Sequence, residues 1–410
     1  MKVFITGTGV MSPLGNSVSD LFRSLIDGKS AVREYPEWST IKGQNCHVGG
    51  PVAPYDSMVI PRSVRRTMSI MSEMAYLATL QAVRQADLPL KDKIDPKRTM
   101  ICIGSTTGSP ITLHDFFKKY FERGGPEGQL STSFFKTMNH TTAANVAMGL
   151  EFPGPVLSPS IACATSSQTM ILAWELMQSG LYDVIIAGGA DELHADSAAV
   201  FDIVRAASIH YNDKPSQTPR PFDRDRDGLV VSEGAGVVVM ETEEHARKRG
   251  ALPLAEFRGG SYLCDGIHMA QAQTPSMVGV MNVALHRAKT RADEIDYVSA
   301  HATGTVIGDK EEAAATATLF GNKIPVSSLK GHLGHTLAAC GAIESIASIE
   351  MMRQGVLIKT RNLDEIDESC AQVMHLQENR SERPNVILSN NFAFGGMNTS
   401  LILSSVRDPI

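Results

Sequence analysis

A chain of 410 residues with 43% hydrophobic and 20% charged side chains has the statistics of a large globular protein, which excludes disorder and leaves room for two domains or one big α/β unit. The formal charge of −6 disfavours nucleic acid as the main partner, although a local basic cluster can still dock an acidic protein. Six scattered cysteines (Cys46, Cys102, Cys163, Cys264, Cys340 and Cys370) form no C-x-x-C pair, which argues against a disulfide framework or a zinc knuckle; most should be buried thiols.

The amino terminus enters a β-type run at residues 2–6 without the basic stretch, apolar segment and cleavage site of a signal peptide. No apolar stretch reaches the roughly 18 residues of a membrane span, so a cytoplasmic protein is expected. A helix follows from about Ser19, with Leu21, Phe22, Leu25 and Ile26 on one face and Gly28 ending it. Further β-type runs at 99–103, 184–187 and 236–240 alternate with helical patterns at 68–85 and 168–178. The polar, proline-containing stretch 211–226 reads as a long ordered loop. After about Arg249 the alternation restarts: strand 254–258, helix 278–289, strand 297–300, helix 311–319, strand 324–327, helix 337–352, and closing runs at 386–389 and 400–403. This βαβ grammar predicts mixed or parallel sheets covered by helices, in two similar halves, 1–249 and 250–410.

Some patterns mislead. Gly7-Thr8-Gly9 follows a strand like a dinucleotide loop, but Ser12 replaces the third glycine and Pro13 falls where a helix should begin. Asp223-Arg224-Asp225-Arg226-Asp227-Gly228 mimics a calcium loop, yet its twelfth position is Gly234 where a bidentate Glu is required, and the interleaved arginines predict a salt-bridged structural loop. His332 and His335 have metal-like spacing without a carboxylate or cysteine nearby to complete a set, so no metal is expected. Met68, Met71 and Met74 recur at helical spacing and read as core.

Chemistry concentrates in three places. Cys163, in Ser160-Ile161-Ala162-Cys163-Ala164-Thr165-Ser166-Ser167, lies where an apolar run meets a helix carrying Met170, Ile171, Trp174 and Met177 on its apolar face. The positive end of that helix would favour the thiolate, although an inert buried thiol is the alternative reading. His301 and His335 each follow a strand and open a glycine-containing loop, where α/β folds place their reactive groups. Either could equally be a satisfied structural histidine, as His332 is read to be.

These residues sit in a larger pattern: Ala162-Cys163-Ala164-Thr165-Ser166; Arg220-Pro221-Phe222-Asp223 with Arg226-Asp227-Gly228 and Glu233-Gly234-Ala235-Gly236; His301-Ala302-Thr303-Gly304-Thr305 with Gly308-Asp309; Lys330 with Gly334-His335; and Asn391-Phe392-Ala393-Phe394-Gly395-Gly396. Over essentially its full length the chain resembles the β-ketoacyl-acyl carrier protein synthase family, types I and II. The resemblance implies an α/β thiolase-like five-layer α-β-α-β-α sandwich of two duplicated mixed-sheet halves. It implies Cys163 as nucleophile, His301 and His335 as neutral N–H donors to a thioester oxygen, and Lys330 as a residue tuning the electrostatics and hydrogen bonding around His335. It further implies backbone N–H groups of Cys163 and Phe394 as the oxyanion hole, and Phe394 and Phe392 at the gate. Thr303 and Thr305 would hold the phosphopantetheine arm, Thr107, Phe201 and Leu229 would line the acyl pocket, and Asp309, Glu312 and Glu344 would organise the site. Arg62, Arg65 and Arg66 would receive an acyl carrier protein, with a solvated helix end as the alternative. No cofactor is implied beyond the carrier-borne arm. A homodimer is implied, or a heterodimer with a chain-length-factor-like subunit.

Departures bear on substrate choice. Ala393 and Ala302 stand where glycine is usual, Thr107 where an aliphatic residue or glycine is common, and Leu229 where an aromatic is common. Together with His332 they raise a specialised polyene or polyketide-like role beside a housekeeping one. A non-catalytic chain-length partner would have lost Cys163, and a coenzyme A thiolase would need a second cysteine in the Gly-rich segment that here carries Phe394.

Overall fold

The structure, a computed structural model, describes residues 1–89, 94–271 and 273–406. Its strands are β1 (Val3–Met11), β2 (Arg33–Glu34), β3 (Val48–Gly49), β4 (Thr99–Gly104), β5 (Val156–Leu157), β6 (Val184–Asp191), β7 (Gly234–Thr242), β8 (Ala255–Cys264), β9 (Tyr297–Ser299), β10 (Pro325–Ser327), β11 (Met374–His375), β12 (Val386–Ala393) and β13 (Met397–Ser404). Eleven of them join in the order β11-β10-β9-β12-β13-β8-β1-β7-β6-β4-β5, and β2 pairs with β3 alone. The seam between β1 and β8 is narrow, with paired positions Phe4↔Glu256 and Ile5↔Ala255.

Either side of the seam the pairing rule repeats. From β1 outward, β7 is antiparallel, β6 antiparallel to it, and β4 and β5 parallel. From β8 outward, β13 is antiparallel, β12 antiparallel to it, and β9, β10 and β11 parallel. Helices Thr165–Gln178 and Cys340–Gln354 touch each other and strands of both halves, forming the central layer. Helix Ile70–Gln85 covers the outer face of β1, β7 and β6, and helix Thr274–Arg287 covers β8 and β13. Five layers result. Central strands are therefore buried on both faces, which is why Val237-Val238-Val239 is continuously apolar and not alternating.

The duplication extends to local geometry. Ala162 and Leu337 both have φ of 50°, each opens a 3₁₀ turn (Ala162–Ala164 and Leu337–Ala339), and each turn feeds one of the central helices. The helix expected at 337–352 thus begins only at Cys340.

Several expectations are refined by packing. β1 runs on to Met11 and takes in Gly7-Thr8-Gly9. Those glycines admit helix Ile70–Gln85: a Cβ on Gly7 would lie 2.1 Å from the Ala82 carbonyl oxygen, and one on Gly9 1.9 Å from that of Ala78. In helix Val18–Ile26, capped by Ser17, residues Leu21, Phe22 and Leu25 are buried but Ile26 is exposed. Met68, Met71 and Met74 are core. The 211–226 loop is salt-bridged: Arg220 pairs with Asp223 and Asp364 at 2.9 and 2.7 Å, and Arg226 with Asp367 at 2.8 Å. Helices Pro110–Arg123, Ser131–Thr137, Thr141–Gly149 and Ala195–Ile203 had no counterpart in the sequence reading. Among the described residues, no helix is long and apolar enough to cross a membrane.

Candidate active site

Cys163 is held at a strained corner. Ala162 takes a left-handed conformation that disfavours residues with a Cβ, and Thr165 stabilises the turn by donating to the Ala162 carbonyl at 2.7 Å while accepting the Ile161 N–H at 3.0 Å. The corner presents Cys163 at the N-terminus of helix Thr165–Gln178, as the sequence suggested. Burial works against the thiolate that the helix would favour. Burial pushes the Cys163 thiol up to about 12 against the opposing pull of Lys330. A rise of that size outweighs the ~0.3–1 kcal/mol a helix terminus typically offers, so the resting nucleophile is a thiol.

His301 follows β9 and His335 follows β10, and their rings meet edge-on with centroids 5.3 Å apart. His335 is positioned by main chain: its N–H donates to Val230 O at 2.7 Å and its carbonyl accepts the Ser232 N–H at 2.9 Å. The Leu337 N–H donates to its Nδ1 at 3.3 Å, which leaves the proton of the neutral ring on Nε2. Among the described residues, that buried Nε2 has no partner. Burial first, then the charge of Lys330, holds both imidazoles well below the usual range, so both are neutral at physiological pH.

Carboxylates brace these loops. Glu312 accepts the N–H groups of His301 and Ala302 at 2.8 and 2.6 Å, and burial pushes it up to about 8. Asp309 accepts those of Phe222, Thr303 and Gly304 at 2.8, 3.0 and 3.1 Å, and burial pushes it up to about 6. The Arg220-Pro221-Phe222-Asp223 block is thereby a brace behind the Thr303 turn. Lys330 is fully buried and ion-paired to Glu344, which accepts Asn391 Nδ2 at 2.8 Å. Burial alone would lower Lys330, but Glu344 and neighbouring acidic groups hold it raised. Its hydrogen bond goes to Glu344 and not to His335, so its influence on the histidines is electrostatic.

One cavity gathers Cys163, His301, His335, Phe392 and Phe394 with Thr303 and Thr305. Thr303 and Thr305 share a hydroxyl hydrogen bond of 3.2 Å. Phe394 is 37% exposed and stacks on the buried Phe201 at 5.7 Å between centroids, closing one side of the cavity. Phe392, in contrast, belongs to β12 and packs edge-on to His301, so it is wall. Phe201 and Leu229 line the cavity; Thr107 is exposed and does not. Ala302 and Ala393 contribute methyl groups to the lining. Arg62 and Arg66 are exposed at the ends of a one-turn helix, while Arg65 is half-buried and donates to Ser57 Oγ at 3.2 Å; none of the three lines the cavity.

Two neighbours of the nucleophile went unassigned in the sequence. Cys340 donates its S–H to the Cys163 carbonyl at 3.1 Å, and Asn391 touches Glu344, His301 and Cys340 together. The contacts join residues far apart in the chain, so no local pattern announces them. His114, His194 and Asp196 form a cluster of metal-ligand type elsewhere on the surface, in which His114 Nδ1 bonds the Asp196 carboxylate at 2.8 Å and His194 Nδ1 accepts the Asp196 N–H at 3.3 Å.

Family models match along the chain: the β-ketoacyl synthase N-terminal domain over residues 1–246 and its C-terminal domain over 254–364. The 3-oxoacyl-[acyl-carrier-protein] synthase 1 of Haemophilus influenzae is 36% identical over 98% of both chains. The crystal structure of a β-ketoacyl synthase from Burkholderia phymatum superposes with a TM-score of 0.95 at 40% identity, covering 99% of this chain and all of that one. A type II polyketide acyl carrier protein in complex with its hexaketide-bound ketosynthase gives 0.88 at 25% identity, with 99% of each chain covered. Fold and site together define a thiolase-fold acyltransferase. The chain belongs to the β-ketoacyl synthase family, whose members carry out Claisen condensation of acyl thioesters.

Proposed function

We propose that the protein extends an acyl chain by decarboxylative condensation with malonyl-acyl carrier protein, using Cys163, His301 and His335. The observation that carries this reading is the orphaned Nε2–H of His335, buried beside a neutral His301 and opening on the same cavity as Cys163. A buried donor left without a partner costs roughly 1–3 kcal/mol, a cost offset when a substrate oxygen arrives.

In the first half-reaction the Cys163 sulfur attacks the acyl thioester carbonyl, with backbone N–H groups of Cys163 and Phe394 holding the oxyanion. The C–S bond to the carrier's phosphopantetheine breaks, the acyl group stays on Cys163, and the thiol proton ends on the departing arm. Malonyl carrier protein then binds along Thr303 and Thr305. Its C–C bond to the carboxylate breaks, carbon dioxide leaves, and the enolate oxygen accepts from the Nε2–H groups of His301 and His335. The carbanion attacks the Cys163 thioester, the tetrahedral adduct expels the thiolate, which takes up a proton from solvent to restore the thiol, and a 3-oxoacyl-acyl carrier protein results. Lys330, Glu344, Glu312 and Asp309 hold the donors in place. No cofactor beyond the carrier's arm enters this scheme.

In this reading residues 1–249 supply the nucleophile and 250–410 the histidines and gate, so only the complete fold is active. Arg62, Arg65 and Arg66 receive the acidic carrier, Phe201 and Leu229 line the acyl pocket, and the protein works in the cytoplasm as a dimer. Thr107 can join the pocket only if a second subunit covers it.

Incubating the protein with acyl carrier proteins of several chain lengths and weighing the intact chain tests this. The expected result is a thioester adduct on the wild type and none on Cys163→Ala. No adduct with any carrier would overturn the reading.

A further inference from the structure

The Asn391 side chain touches His301, Glu344 and Cys340 together, and its amide orientation is fixed by its surroundings. Its Oδ1 accepts from Ser167 Oγ, and its Nδ2 donates to Glu344 Oε2 at 2.8 Å. The flipped amide would set an oxygen against the Glu344 carboxylate and two donors against Ser167. The remaining Nδ2 hydrogen is aimed at His301 Nδ1 and Cys340 Sγ, each 3.4 Å away. Cys340 spends its own proton on the Cys163 carbonyl at 3.1 Å, so its sulfur faces Asn391 as an acceptor. Every proton in the cluster therefore has an assigned direction.

An amide nitrogen can only donate, so a ring nitrogen opposite it must be proton-free. We infer that Asn391 is a positioning residue that fixes the tautomer of His301, keeping Nδ1 bare so that Nε2 presents its N–H to the cavity. His335 receives the same instruction from a main-chain donor, the Leu337 N–H. The two rings are thus set alike by different means, one by backbone and one by a side chain. Glu344 anchors Asn391 and is itself held by Lys330, so the buried ion pair reaches His301 through this amide. Ser167 and the close approach of Gly341, where a Cβ would lie 2.6 Å from Asn391 Oδ1, keep the amide from turning.

This inference rests on the proposed roles of His301 and Cys163, and its test separates the two half-reactions. Asn391→Asp is nearly isosteric but replaces the donor with an acceptor, which draws the His301 proton to Nδ1. Acyl loading of Cys163, followed by intact mass, should stay within about threefold of wild type, since Asn391 does not touch the sulfur. Carbon dioxide release from malonyl carrier protein should fall at least tenfold in kcat with little change in KM. In ¹⁵N-histidine spectra the His301 signals should move from the Nε2–H to the Nδ1–H pattern or to imidazolium, while His335 stays as it is. An unchanged His301 tautomer, unchanged decarboxylation, or an equal fall in both half-reactions would each overturn the inference. If Asn391→Asp does not fold, Asn391→Ala is read by the same spectra and assays, with a mixture of His301 tautomers expected. Failure of the wild type to load any acyl group would instead sink the functional reading, and the spectra would still decide the tautomer.

Discussion

At the scale of single residues, the site is ruled by burial of groups that prefer water. Lys330 and Glu344 form a buried ion pair, each side chain 2% exposed. Lys330→Met should cost about 3–5 kcal/mol in urea denaturation, because it strands the Glu344 carboxylate. Adding Glu344→Gln should recover most of that loss; equal instability of single and double variants would mean that the pair is not the source. His332 makes a second case. Its ring nitrogens face two carbonyls, Lys29 O at 3.3 Å and Lys359 O at 3.0 Å, and burial pushes it down to about 4. A depressed folded value means that the unfolded chain binds the proton first. The stability His332 contributes is complete above the unfolded value of 6.5 and is lost as pH falls toward 4. Between pH 7 and 5 the wild type should therefore lose about 2 kcal/mol more than His332→Gln, read from denaturation midpoints at the two pH values. A parallel loss in both proteins would remove His332 from the account.

At the scale of elements, function depends on how closely two helices approach. Helices Thr165–Gln178 and Cys340–Gln354 meet where Gly341 faces Ser167, and a Cβ there would lie 2.1 Å from Ser167 Oγ. Gly341→Ala should cost about 1–3 kcal/mol by overpacking and slow condensation more than its loss of stability accounts for, since the same contact holds Asn391. A stable, fully active Gly341→Ala would show that the helices can part freely. Such contacts also mark what a sequence can reveal. Cys163, His301 and His335 were legible chiefly through the resemblance of the motifs around them, since each alone could also be read as an inert thiol or a structural histidine. The doubled strand and helix grammar was legible because buried strands are continuously apolar. Asn391 and Cys340 were not, since their partners are separated from them by 90 and 177 positions, and a strand asparagine carries no periodic signal. The opposing influence of burial on the Cys163 thiol was hidden for a related reason: helix ends are visible in sequence, whereas the depth of burial is not.

At the scale of the whole molecule, one surface is too apolar to face water alone. Helices Pro110–Arg123 and Ser131–Thr137, missed because their aromatic residues do not point at the sheet, expose Phe121 at 75%, Phe134 at 62% and, in the link between them, Leu130 at 72%. The adjoining edge of the sheet ends in β5, a two-residue strand with both side chains exposed and, among the described residues, no strand on its outer side. An apolar patch beside an open sheet edge is the signature of a surface that another subunit covers. A second copy of this chain supplies a matching apolar face and edge by symmetry, and would bring Thr107, on the loop after β4, under cover. The wild type should sediment as a dimer at micromolar concentration, and Phe121→Glu with Phe134→Glu should shift it to the monomer by placing like charges in the buried interface. A monomeric wild type that dimerises only when mixed with a second subunit of the same fold would favour the heterodimer; a double variant that remains dimeric would place the interface elsewhere. If the double variant is monomeric, it should also lose acyl-chain selectivity in the loading assay, as expected of a pocket that Thr107 joins under cover of a second subunit.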